Sequence, residues 1–114
     1  MKLLIERIRL CYTCDMEFDW DPNKAASNLK KHKVSFEEAA TVFGNPVSIT
    51  VSDPDHSREE GRYLTVGTSD QGRLLIVAHT EEEGGERIRI ISARPLTRRE
   101  RKAYEEGEFD KDGG

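Results

Sequence analysis

From residue 47 to residue 93 one strand-like segment follows another, joined by connections too short for a crossover. Residues 47–51, 62–68, 73–80 and 87–93 are rich in β-branched and aliphatic side chains, with polar or turn-forming residues between them. Ser69-Asp70-Gln71-Gly72 reads as a tight hairpin. Consecutive strands with such connections imply an antiparallel sheet. Upstream, Phe18 and Trp20 alternate with Glu17, Asp19 and Asp21, which suits a short strand with one buried face. Asp21-Pro22 opens a helix to about residue 32, because Asp caps free N–H groups and Pro fits the first helical position. Ser35 and Glu38 have capping-box spacing for a second helix, with Phe36, Ala39, Ala40 and Phe43 on one side, ending near Gly44-Asn45-Pro46. Pro95 ends the last strand, and Thr97 with Glu100 starts a final helix to about residue 106. The expected class is α+β: an antiparallel sheet with two N-terminal helices and one C-terminal helix, packed on one face.

At 114 residues the chain has room for one modest core. We expect a compact domain over 16–106, a flexible extension over 1–15 and a disordered tail over 107–114. No run approaches the roughly 18 apolar residues a spanning helix needs. Glu6, Arg7 and Arg9 interrupt the N-terminus, which therefore lacks the apolar centre of a signal peptide. These features point to the cytoplasm and away from a membrane. Cys11 and Cys14 make a Cys-x-x-Cys pair, but there is no second Cys pair or closely spaced His pair to complete a tetrahedral zinc site. Ordinary thiols are the expected reading, with no metal and no cofactor.

Charge narrows the function. The formal net charge is -4, yet residues 87–102 carry seven Lys or Arg and one acid, Glu100. A basic face concentrated on an acidic protein suggests a polyanion as substrate or partner, with RNA the leading candidate.

Several blocks then combine. Asn28-Leu29-Lys30-Lys31-His32-Lys33-Val34-Ser35-Phe36-Glu37-Glu38-Ala39 resembles the N-x-x-K-H-G-V-S-F-E-E-A segment of BrnT toxins. Asp53-Pro54-Asp55-His56-Ser57, Gly72-Arg73-Leu74-Leu75, His79-Thr80 and Arg89-Ile90-Ile91-Ser92-Ala93-Arg94 are similar to further blocks of that family, in the same order. Five ordered blocks make a specific match. The resemblance implies a RelE-like fold and a type II toxin that cuts RNA without a metal. It also implies a partner, a BrnA-like antitoxin with a ribbon-helix-helix part that contacts DNA on the pair's behalf. Three departures stand out. Lys33 replaces a glycine that would end the first helix in a left-handed conformation, and Gly61 replaces a usual acid. The run Glu81-Glu82-Glu83 also lacks an Arg often found after the His-Thr pair.

Metal-free RNA cleavage uses the substrate's own 2′-hydroxyl as nucleophile. The enzyme removes that proton, stabilises charge on the phosphate and protonates the leaving 5′-oxygen. Three His and many Arg suit that chemistry. Arg94 is the candidate phosphate ligand, or else a surface Arg paired with a Glu of the last helix. His79, at a strand end, and His56, in a loop, are the candidate acid and base; a half-buried structural His and a turn residue are the competing readings. Lys31, His32, Arg62, Arg73, Arg89 and Arg98 are candidate RNA-backbone contacts. Lys31 and His32 also suit a helix C-terminus on dipole grounds alone. Arg62 and Arg73 are expected to face each other across the hairpin, beside Glu60 and Asp70. Regular alternation puts Arg87 and Arg89 on one face with Ile91 and Ala93, and Ile88, Ile90, Ser92 and Arg94 on the other. Only a twist or bulge would gather all these arginines. A rival function is an inactive module that binds the antitoxin and tunes repression. Direct DNA binding is opposed by the acidic total charge and the lack of a recognition-helix pair. Pairing of antitoxin DNA-binding parts leads us to expect a heterotetramer.

Overall fold

The computed structural model describes residues 8–9, 17–53, 61–82 and 86–107. Cys11, Cys14 and His56 lie outside the described residues, as does the tail beyond Gly107. Strands β1 (Ile8–Arg9) and β2 (Glu17–Trp20) precede helices α1 (Pro22–His32) and α2 (Phe36–Thr41), the latter continued by a 3-10 turn, Val42–Gly44. Then come β3 (Ile49–Ser52), β4 (Arg62–Thr68), β5 (Leu74–Glu82), β6 (Arg87–Pro95) and helix α3 (Arg98–Glu105). No helix of the described residues is long and apolar enough to cross a membrane.

The strands form one sheet in the order β1-β2-β6-β5-β4-β3. The run β3 to β6 is antiparallel, as the short connections require. β2 departs from the expectation: it lies parallel to β6, with Glu17 opposite Arg87 and Trp20 opposite Ile90. The sheet is therefore mixed. Short connections constrain only neighbours in sequence, and β2 is followed by two helices. Its register is complementary instead, acid against Arg and aromatic against Ile, residue by residue. Asp19 is buried along with Phe18 and Trp20, so β2 is covered on both faces rather than one.

The helices also divide. α1 and α2 cover one face, where Phe18, Trp20, Val34, Phe36, Val77, Ile88 and Ile90 make the main core. Phe18 meets Phe43 edge-on at 5.2 Å and Trp20 meets Phe36 at 5.8 Å. α3 packs on the opposite face, where Ala103 and Tyr104 lie against Val66, Ile76 and Leu96. Alternation along β5 makes this necessary, because Ile76 points away from Leu75 and Val77 and needs its own cover.

Most local signals hold. Asp21 caps α1, its Oδ1 accepting from the Asn23 N–H at 2.8 Å. Ser35 Oγ accepts from the Glu38 N–H at 3.0 Å. The expected reciprocal half of that box is missing, because the Glu38 carboxylate turns to Arg73 and Ser69. At α3 both halves form, between Thr97 and Glu100. The third strand starts at Ile49, after a turn closed by the Ser48 N–H on the Asn45 carbonyl. Lys33 ends α1 at φ 63, ψ 31, the left-handed conformation expected of it. A side chain there is strained by about 1 kcal/mol. Lys33→Gly should therefore raise the unfolding free energy by about 1 kcal/mol, read as a higher urea midpoint at unchanged slope.

Candidate nucleic-acid interface

β5 and β6 fall out of simple alternation at one point. Ala78 lies opposite Ser92, but His79 lies opposite Ile90, which leaves Ile91 as an extra residue on β6. A bulge of this kind reverses the in-and-out pattern beyond it. Ile88, Ile90 and Ala93 therefore all join the helix-side core. The reversal moves the arginines too. Arg87, Arg89 and Arg94 emerge on one face, the one turned away from α1 and α2, contrary to the expectation from regular alternation.

That face carries a concave surface of about 200 Å³ lined by Asp53, Arg62, Leu64, Ala78, Ser92 and Arg94. Arg62 and Arg89 flank Thr80 in a single cross-strand row. Each Arg is held by a carboxylate. Arg94 donates from Nη1 to Glu100 Oε1 at 2.9 Å and from Nη2 to Oε2 at 3.0 Å. This fork drives the Glu100 carboxyl down to about 2, and it raises the Arg94 pKa above its usual value. Arg89 Nη1 lies 3.2 Å from Asp19 Oδ1. Arg62 Nε lies 3.8 Å from Asp53 Oδ2, and Arg87 Nη2 3.8 Å from Glu17 Oε1.

The other candidate residues are placed elsewhere. Arg73 is at the far end of the hairpin from Arg62, which pairs with Thr80 in the ladder. Its partner is Glu38, reached through both Nε and Nη2, and it also donates to the Lys33 carbonyl at 2.9 Å. The expected pairing of Arg73 with Asp70 is not made; Asp70 bonds to Thr41. Lys31 and His32 lie on α1 and line a second groove of about 340 Å³ with Ile91 and Ser92. Arg98 is exposed at the start of α3.

His79 is fully enclosed on the helix side of the sheet. Its ring lies edge-on to Phe43 at 4.8 Å and stacks on Tyr63 at 6.0 Å. Nε2 shares a hydrogen bond of 2.7 Å with Thr65 Oγ1, which is 2.7 Å from Thr50 Oγ1. Burial pushes the ring down to about 4, leaving it neutral at pH 7. Sheet and core thus separate it from Arg94.

Sequence reasoning misses Asp19 and Asp53, the acidic partners on this surface, and Glu38, the partner of Arg73 away from it. A signal existed for Asp19: Glu17-Phe18-Asp19-Trp20 and Arg87-Ile88-Arg89-Ile90 are complementary when aligned in parallel. Nothing local announces Asp53 or Glu38.

Residues 20–100 match the family model described as the ribonuclease toxin BrnT of type II toxin–antitoxin systems. No curated protein matches the chain. Among solved structures, the Brucella abortus ribonuclease toxin BrnT superposes with a TM-score of 0.53 at 18% identity. The match covers 69% of this chain and 94% of that one, which shows a shared fold.

Proposed function

This chain belongs to the BrnT family of ribonuclease toxins of type II toxin–antitoxin systems, and from that premise we propose that it is an endoribonuclease that engages RNA across the arginine face of its sheet. The supporting observation is the bulge at Ile91, which puts Arg89 and Arg94 on the same face as Arg62. Arg94 is the phosphate ligand. It sits on a central strand, and its fork already holds a two-oxygen anion, Glu100, in the geometry a phosphate would take. On substrate binding the phosphate competes with Glu100 for that fork and gains charge stabilisation as the 2′-oxygen attacks. Arg62 and Arg89 hold flanking phosphates. His79, enclosed and neutral, has a positioning role beside the bulge. Proton transfer falls to His56, three residues along the chain from Asp53.

The mechanism needs no metal, and the fold is of the RelE-like kind. Membership of a type II system implies an antitoxin. We take it to be BrnA-like, with a ribbon-helix-helix part through which the pair touches DNA, assembled as a heterotetramer in the cytoplasm. The toxin domain spans 16–106, and its release arrests growth.

Wild-type protein should cleave total RNA in EDTA, and Arg94→Ala should reduce the rate by about 10²-fold. Arg94→Lys, which keeps charge but loses the fork, should recover only part of it. A small shift in thermal midpoint is expected for both, since the Arg94–Glu100 pair is partly exposed. Equal cleavage by wild type and Arg94→Ala would remove Arg94 from the site. One observation favours a second reading, the inactive module that only binds antitoxin: Arg62, Arg89 and Arg94 each already have a carboxylate partner. Absence of cleavage by the wild type, with or without ribosomes, would establish it.

A further inference from the structure

The arginine face and the groove along α1 meet at one residue. Ser92 lines both. β2 ends at Trp20, opposite Ile90, so among the described residues β6 has no strand beside it on that side from Ile91 onward. Asn28 takes over part of the role of the missing strand. Its side-chain amide accepts from the Ala93 N–H at 3.0 Å and donates to the Ala93 carbonyl at 2.9 Å. Ile91 and Ser92, just before it, stay half-buried at an uncovered strand edge. Across that edge lie Lys24, Ser27, Lys31 and His32 of α1.

The two sides differ in the state of their cations. On the sheet, Arg62, Arg89 and Arg94 are each paired with a carboxylate. On α1, no carboxylate of the described residues pairs with Lys24, Lys31 or His32, and the two lysines are exposed. Among the described residues, an incoming phosphate competes with a carboxylate for each of these arginines on the sheet, but with none for the lysines on the helix.

We propose that these surfaces form a single track for single-stranded RNA, running from the arginine face over the β6 edge at Ser92 into the groove held by Lys24 and Lys31. This rests on the ribonuclease reading above and extends it from a site to a path. The bulge serves both ends: it turns Arg89 and Arg94 to one face and leaves Ile91 at the edge, where its side chain offers an apolar contact for a base. The path bends over a strand edge within a few residues. A flexible single strand follows such a bend, whereas a duplex is stiff over about 150 base pairs. Lys24 and Lys31 take phosphates as point charges, without base readout, so the track is indifferent to sequence.

The test uses 2′-O-methylated single-stranded RNA, which binds but cannot be cut, in one length of about 4 nucleotides and one of about 14. Lys24→Ala/Lys31→Ala should weaken the long RNA by about tenfold and lower its log–log salt slope by about 1.4, the loss of two phosphate contacts. The short RNA, held on the arginine face, should bind the double variant as it binds the wild type, and Arg94→Ala should weaken both lengths. If the double variant binds long RNA with unchanged affinity and salt slope while Arg94→Ala weakens both, the track is wrong and the ribonuclease site stands. If neither length binds wild-type protein, the site fails and the track with it. Unchanged RNA binding with loss of antitoxin binding would make the groove a protein-docking surface and overturn the proposal.

Discussion

Arg73→Ala is expected to destabilise the fold by about 3 kcal/mol, more than any single change on the arginine face. Glu38 is the reason. Its side chain is only 2% exposed, and Arg73 is the cation that contacts it. The guanidinium grips both carboxylate oxygens, and Ser69 Oγ donates to one of them at 2.7 Å. These hydrogen bonds, led by Arg73, hold the Glu38 carboxyl below the usual carboxylate range despite its burial. Removing one partner of a buried pair typically costs about 3–5 kcal/mol, because the other charge is left without compensation. The low end applies, since the Arg73 side chain is 38% exposed and water can reach part of the gap. Arg73 also bonds to the Lys33 carbonyl, so the same change frees the turn between α1 and α2 from the hairpin.

A double-mutant cycle in urea checks this. Arg73→Met/Glu38→Leu should be clearly more stable than the sum of its single variants implies, by about 2 kcal/mol. Additive effects would mean that Glu38 finds water when Arg73 is gone. Linkage fixes the pH dependence. A carboxyl depressed in the native state stabilises the fold above its unfolded pKa of 4.5, and that contribution fades as pH falls below it.

Legibility from sequence divides by range. Asp21, Ser35 and Thr97 mark their helices correctly, because a cap involves atoms two or three residues apart. The hairpin at Ser69–Gly72 is equally local. Lys33 shows its strain for the same reason. The parallel pairing of β2 with β6 is different: Trp20 and Ile90 are adjacent in space and far apart in sequence, and no turn connects them. The bulge depends on a pairing that only the assembled sheet decides. Without it, Arg89 and Arg94 belong on opposite faces, so reading the strand alone separates arginines that the fold puts on one face. Glu38 was legible as a capping residue and is one in position, but Arg73, distant in sequence, takes its carboxylate. From sequence alone, His79 is a strand-end residue available for proton transfer. The strand instead continues to Glu82, and Phe43 of the 3-10 turn covers the ring. Burial is a property of what packs on a residue, and the packing partner here comes from another element.

That burial has a measurable result. In the folded chain His79 titrates at about 4, against 6.5 for a free imidazole, and desolvation is the main cause. Above pH 6.5 the ring is neutral in both folded and unfolded chains and contributes no pH dependence. Between 6.5 and 4 the unfolded chain binds a proton that the native chain refuses, so stability falls as pH falls. The slope approaches about 1.4 kcal/mol per pH unit, and the total is about 3 kcal/mol. Two groups near the ring bear on this. Thr65 bonds to Nε2 in either protonation state only if its hydroxyl reorients, and it can still bond to Thr50. Glu81 Oε2 lies 3.8 Å from Nδ1, and burial raises its carboxyl above its ordinary value. His79→Phe keeps an aromatic ring against Phe43 and removes the titration. Urea unfolding of both proteins at several pH values should show the wild type losing stability steadily from pH 6.5 to 4.5 while the variant stays nearly level. Carboxylates such as Glu38 and Glu100 act below about 4.5 in both proteins and cancel in the difference. Parallel curves would mean that the native ring accepts a proton and pairs with Glu81.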